Sequence, residues 1–497
     1  MRAMRRPPSI LALSLLLLPA LPASAAPVVG CLPGERCATW TATYDDPSIQ
    51  SPYRSDQFAQ DVLLNATTVF AVVKNVSLFP DDYAKSPGSS VVVAYDRATG
   101  AVRWTVDRRE RVYFSPHKAV LSPDGRRLYV TGAAYDGYPV AGAVDSRIVT
   151  IGYDAATGRE LWASTWDGRR DAFDNPKGIV VAPDGDEVYV TGVTTSKNGD
   201  LDYVTVGYRA DGRELWSETY AGPKDKGLDA PFGIAVTPDG RYVVVTGWSD
   251  GVVEFDADYA TVAYRLHGHN AKRAWVARYD GMGAHKSDRA MAVTADDDHV
   301  YVTGDSWAGG SGSDYDYATV AYDVRRGTQE WQGRWSGGRG SFNSPVSIAS
   351  VNGRVIVTGQ ATAPSADDAN DAGTVVYDAR SGQSLWAKTF GLVHHDDYGR
   401  GLALSPDGNT AYVVSRNVPS VQYTALTRTS VVAYDVATGA ERWTSTVEPE
   451  PGNAFSAASI AATGSAVAVL GNVTRSANPT GEQDQNVYDV RTAVFAP

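Results

Sequence analysis

A chain of 497 residues is long enough for three average domains or for one large repeat array. Hydrophobic residues at 43% and charged residues at 21% exclude a disordered polymer, and a net charge of −12 argues against generic nucleic-acid binding, which needs a basic face. Gly 48, Tyr 27 and Trp 12 against only 4 Met favour turns and strands over helical bundles.

The N-terminus reads as a targeting device. Arg2, Arg5 and Arg6 form a basic start, Ile10 to Leu18 a short apolar run, and Ala23-Ser24-Ala25 a small-residue cleavage pattern, so residues 1–25 are expected to be a signal peptide. That run is too short to span a bilayer, and no later stretch approaches the roughly 20 residues required. The mature chain is therefore expected outside the cytoplasm, as a secreted, extracellular or cell-envelope protein. Residues 26–37 form a short N-terminal segment. Within it Val28-Val29-Gly30-Cys31 has the pattern of a lipoprotein box, which would make Cys31 a lipid anchor. Cys37 is the only other cysteine and stands across a Pro33-Gly34 turn; one close pair in an exported protein reads more simply as a Cys31–Cys37 disulfide.

Residues 38–497 are dominated by a repeat. One phrase recurs as AYDRATGAVRW (94–104), GYDAATGRELW (152–162), GYRADGRELW (207–216), AYDVRRGTQEW (321–331), VYDARSGQSLW (376–386) and AYDVATGAERW (433–443), with a stretched copy AYRLHGHNAKRAW at 263–275. A second phrase precedes it, as in SPDGRRLYVTG (122–132) and TPDGRYVVVTG (237–247). Each unit translates into four short strands. In one unit, Gly233 to Val236 is the first, Pro238-Asp239-Gly240 a tight turn and Tyr242 to Thr246 the second. The third corresponds to Tyr203–Tyr208 and the fourth carries the tryptophan. No helical period is present, and about 57 residues per four strands is the size of a propeller blade.

The two ends complete the count. Trp40 with Thr43-Tyr44 matches a fourth-strand ending, and Tyr488 to Phe495 looks like a third strand with no fourth after it. The expected fold is all-β: one β-propeller of eight four-stranded blades closed by the N-terminal strand, with seven blades plus an accessory hairpin as the alternative. Trp40, Trp104, Trp162, Trp216, Trp275, Trp331, Trp386 and Trp443 are read as structural wedges between blades.

Turns of Pro-Asp-Gly and Thr-Gly type make one end of the ring uniform. Loops at the other end are long and all different, which marks that end as the functional one. Aligning the blades on the Pro-Asp-Gly turn places Phe58, His117, Lys177, Phe232, Arg289, Pro345, Arg400 and Ser456 at the start of the inner strands. His117, Lys177, Arg289 and Arg400 are cationic, and Asp174, Asp229 and Asp397 lie three positions before three of the ring positions. Together they are candidates to bind an anionic ligand, or else to pair between blades. Asp200/Asp202, Asp256/Asp258 and Asp314/Asp316, with Asp371 at the same phase, could hold Ca²⁺, or else cap loop-to-strand corners. His394-His395-Asp396-Asp397 could ligate a transition metal, but reads more simply as a solvated polar loop. No G-x-S-x-G, H-E-x-x-H or P-loop motif is present, so no catalytic residue is assigned and the balance is against an enzyme.

The Ala-x-Asp-x-x-Thr-Gly-x-x-x-Trp spacing of Ala94–Trp104 and Ala433–Trp443 resembles the tryptophan-docking motif of the pyrroloquinoline-quinone-type propellers, which have eight blades. The stretches 233–247, 258–264 and 316–322 look like bacterial secreted β-propeller repeats of the SBBP kind. The resemblance implies architecture across nearly the whole mature chain, and little function. Quinoprotein dehydrogenases carry a vicinal disulfide beside the quinone; this chain has no adjacent cysteines, which counts against pyrroloquinoline quinone as a cofactor. The expectation is a monomeric propeller that binds a protein or glycan through its variable loops, with no nucleic acid and no transmembrane segment. A degenerate quinoprotein, a propeller hydrolase or an envelope-tethered assembly scaffold are the alternatives.

Overall fold

The computed structural model describes residues 35–45, 54–78, 88–109, 113–135, 145–169, 172–224, 226–251, 256–282, 286–309, 314–338, 342–362, 370–419, 426–449, 453–476 and 486–497. The expected signal peptide, Cys31 and the tips of most of the variable loops lie outside these residues. Cys37 is described and carries no free thiol.

Eight four-stranded antiparallel sheets account for every strand among the described residues, and there is no helix. Blades 1 to 7 occupy 54–109, 113–166, 175–220, 229–279, 288–335, 344–390 and 395–447, each with its strands paired in chain order. Blade 8 is split. Asn453–Thr463, Ala466–Ser476 and Asn486–Phe495 are its first three strands, and Trp40–Tyr44 is its fourth, paired in the register Trp40↔Val494 to Tyr44↔Val490. The first strand of every blade touches the first strands of both neighbours, blade 8 against blade 1 included, so eight first strands line a closed ring. Closure leaves no sheet open for a further blade, and the seven-blade alternative is excluded.

What holds neighbouring blades together is an aromatic stack. Trp162 lies between Tyr129 of its own blade and Tyr208 of the next, at ring-centroid distances of 5.8 and 6.4 Å. Trp216 lies likewise between Tyr189 and Tyr264, and Trp331 between Tyr301 and Tyr377. Offset contacts of this kind contribute about 0.5–1.5 kcal/mol each beyond the apolar area they bury. The indole N–H is directed as well: Trp40, Trp162, Trp275, Trp331 and Trp386 donate Nε1–H to Arg97, Ala210, Val324, Ala379 and Val436 carbonyls of the next blade, at 2.8–3.0 Å. Trp216 faces the stretched hairpin of blade 4 instead, and its Nε1–H has no hydrogen-bond partner among the described residues. At the seam, Trp443 stacks on Tyr412 and on Phe495, with the Arg36 guanidinium over its ring at 5.1 Å.

Within a blade the second and third strands are buried β-branched and aromatic runs, as in Val243–Val245 and Tyr259–Val262. A threonine pair bridges them at the same level in blade after blade: Thr131–Thr150, Thr246–Thr261, Thr303–Thr319 and Thr358–Thr374, with hydroxyls 2.9–3.3 Å apart.

Candidate functional site at the channel mouth

The first strands run further toward the variable-loop end than the sequence pattern shows; in blade 4 the strand is Asp229–Val236. Each also carries a β-bulge at one shared level. The bulged residues are Gln60, His117, Lys177, Phe232, Met291, Val346, Arg400 and Ala458. The bulge accounts for the glycine of the repeated Val-Thr-Gly phrase, because a Cβ at Gly304 would collide with the Arg289 carbonyl oxygen and one at Gly247 with that of Ala230.

This register corrects the ring expected from the turn alignment. His117, Lys177, Phe232 and Arg400 sit at bulges, but Phe58, Arg289 and Ser456 lie two residues before them and Pro345 one. Turn length is the reason. Six residues join the shared last rungs of the first two strands in blades 2, 3, 4 and 7, as in 237–242, but four do so in blades 1, 5, 6 and 8, as in 296–299.

Three residues before each bulge stand Gln57, Phe114, Asp174, Asp229, Asp288, Asn343, Asp397 and Phe455, all fully or nearly fully buried. The acids and the Asn among them cap the loop that enters their own blade. Asp174 accepts the Gly168 N–H at 2.9 Å, Asp229 that of Gly222 at 2.6 Å, Asp397 that of Leu392 at 2.8 Å, and Asn343 that of Gly337 at 3.3 Å, with Thr362 at the end of the second strand as its other donor at 2.9 Å. Asp288 accepts from both Gly281, at 2.9 Å, and Trp307, at 3.1 Å. Burial raises the Asp174 and Asp229 carboxyls above the usual carboxylate range and brings Asp288 to about 6. Asp174 and Asp229 thus spend an oxygen on backbone N–H groups, and neither forms an ion pair with a basic residue of the ring. Asp288 and Asn343 were not singled out in the sequence. The signal was present as an aromatic residue, any residue and then Gly, followed by Asp or Asn six or seven positions on, in Trp166–Asp174, Tyr279–Asp288 and Trp335–Asn343.

The acidic pairs at the start of the third strands divide in role. The Asp200 and Asp314 carbonyls close the preceding loops on the Ser196 and Ala308 N–H groups, and Asp256 does the same for Gly251. Asp258 is held by Arg278, whose Nη2 lies at 2.7 Å and Nε at 3.2 Å, and Asp316 is 3.6 Å from Arg334. Burial, with Asp200 and Asp229 nearby, lifts Asp202 to about 6. Asp371 is buried at the same phase. Among the described residues, one acidic trio has oxygens close enough to share a cation: Asp258, Asp280 and Asp288, with Arg278 already on the first. The His394–Asp397 run does not converge in this way: His395 Nδ1 lies 3.0 Å from the Val393 carbonyl, and Asp396 accepts the Asn370 N–H at 3.1 Å.

Two arcs of the mouth differ in chemistry. At the seam of blades 4 and 5, a cavity of about 390 Å³ is lined by Phe232, Trp248, Met291, Arg289, Asp305 and Ser344, among others. Arg289 is fixed in its wall: Nε and Nη2 donate to the buried Asp305 at 3.0 and 2.8 Å, and Ser344 Oγ lies 3.3 Å from the other Asp305 oxygen. Phe232 is 39% exposed, and the loop residues Leu228 and Met282 are 46% and 55% exposed. Blades 1 to 3 contribute the second arc, where half-buried Lys74, His117 and Lys177 share one electrostatic neighbourhood. On blade 7, Arg400 lies over the Tyr398 ring at 5.8 Å.

The fold and its tryptophan stacks define an eight-bladed propeller of the pyrroloquinoline-quinone type. The chain belongs to the family whose model, described as outer membrane protein assembly factor BamB, matches residues 144–445. A search of curated proteins gives no match. Among solved structures, the chain is similar to the hydrazine synthase of Kuenenia stuttgartiensis, with 14% identity over 73% of this chain and 96% of that one and a TM-score of 0.45. It is similar to the WD40 domain of SCAP from fission yeast, with 11% identity over 90% and 99% and a TM-score of 0.44. The acylaminoacyl peptidase of Pyrococcus horikoshii follows at 10% over 84% and 57%, with a TM-score of 0.44. Likeness at this level concerns the fold alone.

Proposed function

We propose that the protein is an exported, monomeric binding scaffold of the cell envelope that holds a protein partner against its variable-loop end. The observation that carries this reading is the cavity at blades 4 and 5, walled by Trp248, Met291 and the exposed Phe232, with Leu228 and Met282 also exposed on the loops that enter those two blades. Large apolar side chains held on a water-facing surface gain by being covered. A pocket with aromatic and methionine walls suits an anchoring side chain of a partner. The description of the family as an assembly factor for outer membrane proteins supports a protein partner in the envelope. Net charge −12 supports a partner other than nucleic acid. Among the described residues no helix is long and apolar enough to cross a membrane; the N-terminal segment supplies Cys31 as the disulfide partner of Cys37 or, in a chain where that pair is not formed, as a lipid anchor.

The test is site-specific photo-cross-linking in the producing cell. A photoreactive residue at Phe232 or Met282 is expected to give one defined protein adduct, and the same residue at Arg126 or Arg380, in the uniform turns, none. Equal labelling from both ends, or none from either, would sink the reading.

A further inference from the structure

We propose that Lys74, His117 and Lys177 form a subsite for a compact oxyanion of two or more negative charges, carboxylate or phosphate, on the arc of the channel mouth built by blades 1 to 3. His117 and Lys177 are the bulged residues of neighbouring first strands, so the shared register brings their side chains to one level. Lys74 comes from the second strand of blade 1 and crosses the seam, its ammonium 5.4 Å from the ring centroid of Tyr113 in blade 2. Lys118 beside them is paired with Asp61 at 3.9 Å. Lys74, His117 and Lys177 are not: each is half-buried, and none has a carboxylate at ion-pair distance among the described residues.

That arrangement is unusual in a chain with 57 acidic residues. Half-buried ammonium groups lose hydration, and without a counter-charge the loss is uncompensated. The strain shows in their titration: burial lowers both lysines, and burial together with Lys177, Lys74 and Lys118 lowers His117 to about 4. At neutral pH the imidazole is therefore uncharged and offers one N–H, while two ammonium groups offer three donors each. Donors of that number on one arc of the mouth match an oxyanion of several oxygens, and the low local dielectric strengthens the attraction once the anion has displaced water.

The experiment is calorimetric titration of the mature protein at pH 7 with pyrophosphate and, separately, citrate, with acetate as the singly charged comparison. Wild type is expected to bind at least one of the two saturably at one site, with affinity that falls as salt rises. Lys74→Met/Lys177→Met should weaken that binding at least tenfold, Lys177→Gln should give an intermediate loss, and Lys388→Met on the exposed outer strand of blade 6 should change nothing. Removing unpaired half-buried charges should leave the double variant's thermal midpoint equal to or above that of wild type, so a loss of binding would report the site and not the fold. A preference for pyrophosphate or citrate assigns the source as phosphate or carboxylate. Absence of saturable binding of either anion, or binding indifferent to the two substitutions, overturns the proposal.

Discussion

Trp275 of blade 4 donates its Nε1–H to the Val324 carbonyl of blade 5 at 2.8 Å, and the same turn ends at Gly327, whose φ is 70°. The two facts are coupled, because a Cβ at Gly327 would lie 2.5 Å from Trp275 Cδ2, far inside contact distance. One glycine thus serves a left-handed turn and the docking of an indole.

Gly327→Ala is therefore expected to cost more than the about 1–2 kcal/mol of placing an L-residue in the left-handed region. Gly353 is the control. Its φ is 71°, yet nothing lies within 4 Å of its Cβ position, so Gly353→Ala should cost the backbone part alone. Chemical denaturation of both variants measures the difference. Equal losses would mean that the indole yields without cost.

At the seam, the Glu35 carboxylate accepts the Thr446 N–H at 2.7 Å and its hydroxyl at 3.0 Å across 411 positions of sequence. Glu35→Ala should destabilise by about 1.5–3 kcal/mol, the range for hydrogen bonds to a charged group. Trp40→Ala, which removes a buried indole from the closing strand, should cost about 3–5 kcal/mol. Unfolding midpoints test both, and a neutral Trp40→Ala would mean that closure contributes little to stability.

The pH dependence has a definite sign. Asp288, at about 6 in the folded protein against 3.8 as its ordinary value, binds its proton more tightly when folded. Its contribution is complete below its ordinary pKa and is lost as pH rises from about 4 to about 6, a loss on the order of 2–3 kcal/mol. His117 runs the other way: its folded pKa of about 4 makes stability fall as pH drops from 6.5 towards 4. Asp288→Asn should remove the first component and raise stability at pH 7, because Asn343 shows that an amide oxygen serves as cap at this position. A stability–pH profile unchanged between pH 4 and 7 in Asp288→Asn would refute the assignment.

Calcium gives a fourth test. Arg278 occupies one side of the Asp258–Asp280–Asp288 group, so millimolar Ca²⁺ should leave the thermal midpoint of wild type unchanged to within about a degree, the resolution needed for a chain of this size. Arg278→Ala should gain a Ca²⁺-dependent increase. A wild-type increase abolished by EDTA would show that the trio binds metal with the arginine in place.

The blade count was legible in the sequence because most units repeat residues whose identity is physically constrained: the stacked tryptophan, the left-handed glycine and, in blades 2 to 6, the Val-Thr-Gly glycine beneath a bulge. Arg289 shows where legibility stopped. Counting back from the turn gives Arg289, but the turn of blade 5 is two residues tighter than Thr237–Tyr242, so the count lands two residues before the bulge at Met291. Bulges have no single residue signature and no spacing reveals them from one chain. The role of Asp174 and Asp229 was hidden for a related reason, since their partners are backbone N–H groups of glycines and leave no complementary charge to read.

Closure through Trp40–Tyr44 also sets an order of events. The strand nearest the N-terminus emerges first from the ribosome, but its partner Asn486–Phe495 emerges last. Blades 1 to 7 each consist of consecutive strands and can form as their own segment becomes free, whereas blade 8 must wait for both ends. Until then two first strands, at Arg54–Leu64 and Asn453–Thr463, lack the neighbour that will cover them. The protein is most exposed to mispairing in that interval, and the earliest strand made is the latest to be seated.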